Sequence, residues 1–136
     1  MAGYAPTPLL HKLGLKPGAA AAVIGAPMDY AALLAIDKAP PLLAAGATLP
    51  VGLDFLHLFT VSREEMTLVL TAALATMARD GMIWVSWPKK SAGVPTDITE
   101  DGVRDVCLPM GLVDIKVCAV TEVWSGLKLV IRRELR

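Results

Sequence analysis

A run of apolar residues of strand length, followed by a helix start, recurs three times in this chain. The runs are Ala19–Ala26 leading to Asp29, Asp54–Val61 leading to Ser62, and Met82–Trp87 leading through a loop to Asp97 and Thr99. Each new strand must begin again at the end where the previous one began, which requires a parallel sheet. Right-handed crossovers then lay helices on the faces of that sheet. The final runs, Val113–Thr121 and Leu127–Arg133, are joined only by Glu122-Val-Trp-Ser-Gly126. That connection is too short for a parallel crossover, so the pair is expected to be antiparallel. The predicted class is α/β, in three layers, with a mostly parallel sheet of five or six strands and a C-terminal antiparallel hairpin.

Local signals sharpen the reading. Thr7-Pro8 is expected to open a short helix that Gly14 closes in the left-handed conformation. Asp29 caps a short helix from Tyr30 to about Ile36, and Pro40-Pro41 stops it. The small, apolar, turn-rich stretch Leu42–Leu53 accommodates at most a short edge strand near Ala47–Pro50. Ser62-Arg-Glu-Glu65 is a capping box ahead of a helix whose Met66, Val69, Leu70, Ala73, Leu74 and Met77 share one face. Val103, Val106, Cys107 and Met110 recur at helical spacing after Asp97 or Thr99, until Pro109 and Gly111 end the helix.

The 136 residues are 54% hydrophobic and only 19% charged, which suits a sheet covered on both faces or apolar surface covered by a second subunit. The chain is read as one domain, 1–136. The longest uncharged run, Ala39–Leu53, contains three prolines and is shorter than the roughly 18 apolar residues of a membrane span. Met1-Ala-Gly-Tyr4 shows no charged start of a signal peptide. A net charge of zero without a basic block excludes a nucleic-acid footprint. Cys107 and Cys118 form no CxxC pair and read as reduced core residues of a cytoplasmic protein. Two distant histidines and these cysteines give no metal constellation. Apolar content and absent charge repulsion together lead to the expectation of a twofold homodimer.

The element order, with its terminal hairpin, resembles the Rossmann-like fold of class I S-adenosylmethionine methyltransferases with a shortened middle. Gly14-Leu-Lys-Pro-Gly18 and Met77-Ala-Arg-Asp-Gly-Met82 resemble the lead-ins to the first and third strands of that superfamily. A more specific likeness spans nearly the whole chain. Leu13-Gly-Leu-Lys-Pro-Gly18, Trp87-Pro-Lys-Lys90, Gly93-Val94, Thr96-Asp97, Gly111-Leu-Val-Asp114 and Trp124-Ser125 resemble a family of short bacterial proteins filed as a domain of unknown function. The first resemblance implies a fold. The second implies no activity.

In a parallel sheet the crossover strands end on one rim, where ligands of such folds bind. Gly25–Asp29, Thr60–Ser62, Trp87–Asp97 and Glu122–Gly126 are expected there, with a cleft between the first strand and Asp54–Val61. The candidate ligand-binding residues are Gly25, Asp29, Tyr30, Trp87, Lys89, Lys90, Asp97, Trp124 and Ser125. Gly25-Ala-Pro-Met-Asp29 stands where a methyltransferase carries its glycine-rich cofactor loop. It holds a single glycine, Pro27 removes an amide donor, and no acidic residue ends a second strand, so no cofactor is expected. Lys89 and Lys90 before a helix start can hold a phosphate or carboxylate. Alternatively, Asp97 occupies that helix end or pairs with a lysine to fix the loop. Trp84 is expected in the core, whereas Trp87 and Trp124 either wall a pocket together or cover the sheet rim. His57, between Phe55 and Phe59, reads as a satisfied core histidine; no residue is assigned a catalytic role.

The resulting expectation is a binding or regulatory module whose rim pocket holds a small anionic ligand. The alternatives are a reduced, methyltransferase-like group-transferase and a dimeric interaction module.

Overall fold

A computed structural model describes residues 7–136; the N-terminal tetrapeptide read for a signal lies outside the described residues. Six strands form one sheet: β1 (Ala21–Ile24), β2 (Leu42–Leu43), β3 (Phe55–Phe59), β4 (Met82–Pro88), β5 (Leu112–Ala119) and β6 (Trp124–Ile131). Their order is β2-β1-β3-β4-β6-β5. β1 pairs parallel with β2 and β3, and β3 pairs parallel with β4. β6 pairs antiparallel with both β4 and β5. The sheet is therefore mixed, its parallel part carrying the repeated strand–helix units and its antiparallel part the hairpin.

Four helices cover the sheet: α1 (Leu9–Leu13), α2 (Tyr30–Leu34), α3 (Arg63–Thr76) and α4 (Glu100–Cys107). Strand alternation divides the core between two faces. Leu56, Leu58, Ile83, Val85, Leu127 and Leu129 pack against Met66, Leu70 and Ala73 of α3 and Val103 and Cys107 of α4. Val23, Phe55, Phe59 and Trp84 pack on the other face against Leu13 of α1 and Tyr30 and Leu34 of α2. Trp84 is fully buried, as expected, and its indole N–H donates to the Leu13 carbonyl at 2.8 Å, tying α1 to the sheet. Cys107 and Cys118 are free and buried, and burial pushes the Cys107 thiol up to about 11.

The caps show why these helices start where they do. Ser62 Oγ accepts from the Glu65 amide at 3.1 Å and Thr99 Oγ1 from the Gly102 amide at 3.0 Å. The reciprocal half of the capping box is replaced: the Ser62 amide donates to Thr60 Oγ1 at 3.1 Å. Pro8 occupies the cap position of α1, one residue earlier in the helix frame than predicted, and Gly14 ends it at φ 76°.

Two strand assignments differ from expectation. The edge strand is Leu42–Leu43 rather than Ala47–Pro50, because Val23 and Ile24 pair with those two leucines directly after Pro40-Pro41. The chain then returns over the α3 face as a linker, burying Leu49 and Leu53 where a crossover helix is absent. β6 starts at Trp124 rather than Leu127, because Trp124 and Ser125 pair with Pro88 and Trp87. Neither residue belongs to the connecting turn.

Candidate functional site

β2 and β3 flank β1 on opposite sides, so the chain reverses direction across the sheet at β1, and the ends of β1 and β3 form the switch point. Gly25 follows β1 there at φ 71°, and a Cβ built on it would stand 2.5 Å from the Phe59 carbonyl oxygen. Its lack of a side chain serves a close approach of two backbones.

The nine rim candidates divide into separate groups. Asp29 caps α2 by accepting from the Ala32 amide at 3.1 Å, and it lines an open groove with Met28, Leu33 and Trp124. Tyr30 is not at the rim: it is 1% exposed, with its hydroxyl 2.7 Å from His57 Nδ1. Trp87 and Ser125 are directly paired across β4 and β6. Trp124 packs edge-on to Phe59, at 5.4 Å between centroids, on the α2 face. Trp87 is buried in the α3 face. The two indoles therefore sit on opposite sides of the sheet and do not wall one pocket. One register step between them decides this, since successive residues of a strand alternate faces.

The loop after β4 is fixed by polar contacts to the start of α3. Asp97 Oδ1 accepts from the Arg63 amide at 2.7 Å, and Thr96 Oγ1 donates to the Val61 carbonyl at 2.8 Å. Asp97 thus caps α3 rather than α4, and among the described residues it forms no ion pair with Lys89 or Lys90. The Lys89 amide donates to the Val123 carbonyl at 2.7 Å, and Lys90 begins an exposed single turn, Lys90–Ala92.

The more enclosed space at this rim lies on the α3 face and was not legible from motifs. It is a cavity of about 390 Å³ lined by Ile24 at the end of β1, the linker Ala45–Ala47 with Leu49, and Ser62, Glu64, Glu65, Leu68, Val69 and Ala72 of α3 and its cap. Small linker residues leave the room, and the inward turns of α3 supply the wall. Among the described residues, the charged groups lining it are the carboxylates of Glu64 and Glu65.

Beneath the rim on the α2 face, Tyr30, His57 and Ser86 form a buried polar chain, with His57 Nε2 at 2.8 Å from Ser86 Oγ. Burial lowers the His57 pKa to about 3, so its ring is neutral. One ring nitrogen accepts and the other donates, and the two hydroxyls satisfy either tautomer. The same burial raises the Tyr30 hydroxyl, which keeps it protonated. His57 and Ser86 are fully buried, so this chain of hydrogen bonds is closed to solvent. Among the described residues no group of His, Cys, Asp and Glu is placed to hold a metal, and no helix is long and apolar enough to cross a membrane.

No family model matches the chain, and no curated protein matches it. Solved structures do. The glycopeptide N-methyltransferase MtfA is similar with a TM-score of 0.63 at 10% identity, over 90% of this chain and 87% of that one. LepI, solved in complex with SAM, gives 0.56 at 13% identity over 91% of this chain and 39% of its own. Magnesium protoporphyrin IX methyltransferase from Synechocystis PCC 6803, with bound SAM, gives 0.52 at 14% identity over 74% and 50%. The chain thus spans half or less of the length of the latter two. What these likenesses establish is a small, mixed α/β sheet of methyltransferase-like fold.

Proposed function

We propose that this protein is a small-ligand binding module whose site is the cavity between the linker after β2 and α3. The observation that carries the reading is the cavity itself: at about 390 Å³ it falls within the range of about 300–1,000 Å³ typical of small-molecule sites. It also lies beside the switch point, where open α/β sheets bind their ligands. Ile24, Leu49 and Val69 favour an apolar body, while Ser62, Glu64 and Glu65 face it with hydroxyl and carboxylate oxygens. A neutral or cationic head group suits that lining better than an anion.

A second reading, a reduced methyltransferase-like group-transferase, draws support from neighbours solved with SAM. Against tight cofactor binding stand the loss of the Pro27 amide and the close packing of Gly25 on Phe59. The likeness to the short bacterial family belongs to the same proposal, as does a cytoplasmic setting, which the two free, buried thiols support.

Native mass spectrometry of the purified protein, with calorimetry against S-adenosylmethionine, separates the readings. The binding module predicts a co-purifying small molecule that is lost in Ala72→Trp, a substitution that fills the cavity. It also predicts S-adenosylmethionine dissociation weaker than about 1 mM, or roughly 4 kcal/mol. Micromolar binding of S-adenosylmethionine, abolished by Ala72→Trp and accompanied by turnover to S-adenosylhomocysteine, supports the group-transferase instead.

A further inference from the structure

Lys116 of β5 and Lys128 of β6 are register partners, directly opposed on the α1 face of the sheet. Like charges in that arrangement repel and destabilise a strand pair. Lys116 Nζ donates to the backbone carbonyl of Lys12 at 3.1 Å, which sets the pair beside the end of α1. Lys128 Nζ lies 3.9 Å from where a Cβ on Gly14 would stand, so both ammonium groups lie at the α1 terminus. Lys128 is half-buried and Lys116 is exposed. Every ion pair among the described residues involves Arg104, which takes Glu100, Asp101 and Asp114, so neither Lys116 nor Lys128 has a carboxylate partner.

We propose that Lys116 and Lys128 form a binding site for the phosphate group of a small molecule. The site is separate from the α3 cavity and independent of its assignment. A dianion offsets the repulsion between the two opposed ammonium groups, and donors from adjacent strands reach more than one oxygen of a tetrahedral anion. Burial, with the Lys116 charge added, lowers the Lys128 pKa, which is the response of an ammonium that lacks a counter-charge. Lys89 and Lys90 follow the far end of β4, so this site is distinct from the loop that carries them.

The test is calorimetric titration of the full chain with inorganic phosphate at low ionic strength. Saturable binding is expected, weakened by about tenfold or more in Lys128→Gln and in Lys116→Gln, the loss of one charge-assisted hydrogen bond. Lys128→Arg should retain affinity within about threefold, since it keeps the charge and donors. Lys89→Gln and Lys90→Gln should leave binding unchanged. Co-sedimentation with phosphatidylglycerol vesicles distinguishes a lipid headgroup from a free phosphate. Vesicle binding without phosphate binding, no saturable phosphate binding, or binding that survives Lys128→Gln and Lys116→Gln each overturns the proposal. If either glutamine variant fails to fold, suppression of the wild-type phosphate isotherm by salt and its persistence in Lys128→Arg decide the matter.

Discussion

Asp97 caps a helix that begins 34 residues before it: its Oδ1 accepts the Arg63 amide at 2.7 Å. The contact satisfies a backbone donor that α3 cannot satisfy internally and anchors the loop carrying Lys89 and Lys90. Asp97→Ala should lower unfolding free energy by about 1 kcal/mol, the usual loss of an N-terminal cap, while Asp97→Asn retains most of it. Urea denaturation of the two variants checks this. An unchanged midpoint in Asp97→Ala would mean that the hydrogen bond contributes nothing.

Gly25→Ala should be more damaging than its small size implies. The new methyl group meets the Phe59 carbonyl oxygen at 2.5 Å, and the backbone φ of 71° disfavours any side chain. A loss of about 2 kcal/mol or more is expected, combining left-handed strain with displacement of a strand end. Gly46→Ala is the matched control. Gly46 also has positive φ, but a Cβ there meets nothing within 4 Å. Its loss should stay near 1 kcal/mol, from backbone conformation alone. Equal losses in the two variants would remove the close-approach explanation for Gly25.

The buried His57 makes stability depend on pH. Its folded pKa is lowered to about 3 from the ordinary value of 6.5. The unfolded chain therefore takes up a proton between those values while the folded chain does not. The stabilising contribution of neutral His57 is fully present above pH 6.5 and declines as pH falls toward 3. At pH 5 the loss should be about 2 kcal/mol relative to pH 8. Unfolding free energies at the two pH values test the sign and size. His57→Gln should flatten that difference, and a wild-type difference no larger than the variant's would reject the assignment.

The alternation of strands and helices was readable because Ala19–Ala26, Asp54–Val61 and Met82–Trp87 are apolar over strand length and their caps follow at conventional spacing. The hairpin was readable from the brevity of its turn. β2 was not, because a two-residue strand has no periodicity of its own and exists only through its pairing with Val23 and Ile24. The rim was legible as a region, and its internal geometry was not. Trp87 and Trp124 were separated by a register that no local pattern encodes, and Tyr30 was drawn inward by a partner 27 residues away. The α3 cavity is lined by Ala45, Gly46 and Ala47, residues whose small size leaves space but carries no chemical signature.

Self-association remains a proposal with a specific surface. Both edges of the sheet resist extension: β2 has two residues and follows Pro40-Pro41, while β5 carries an irregularity between Asp114 and Lys116. Short edges, prolines, bulges and lysines all block strand addition. A dimer should therefore use a helical face. On α3, Leu68 is 65% exposed, and Val51, in the turn whose Gly52 amide bonds Thr76 at the end of that helix, is 85% exposed. Covering such residues favours association, and a net charge of zero offers little long-range repulsion. Light scattering at about 100 micromolar should report twice the chain mass for a dimer of micromolar affinity, about −8 kcal/mol. Leu68→Lys should return it to a monomer, and Ile115→Lys, on the guarded edge, should not. A monomeric wild-type mass at that concentration rejects the dimer, and dissociation by Ile115→Lys alone moves its interface to β5.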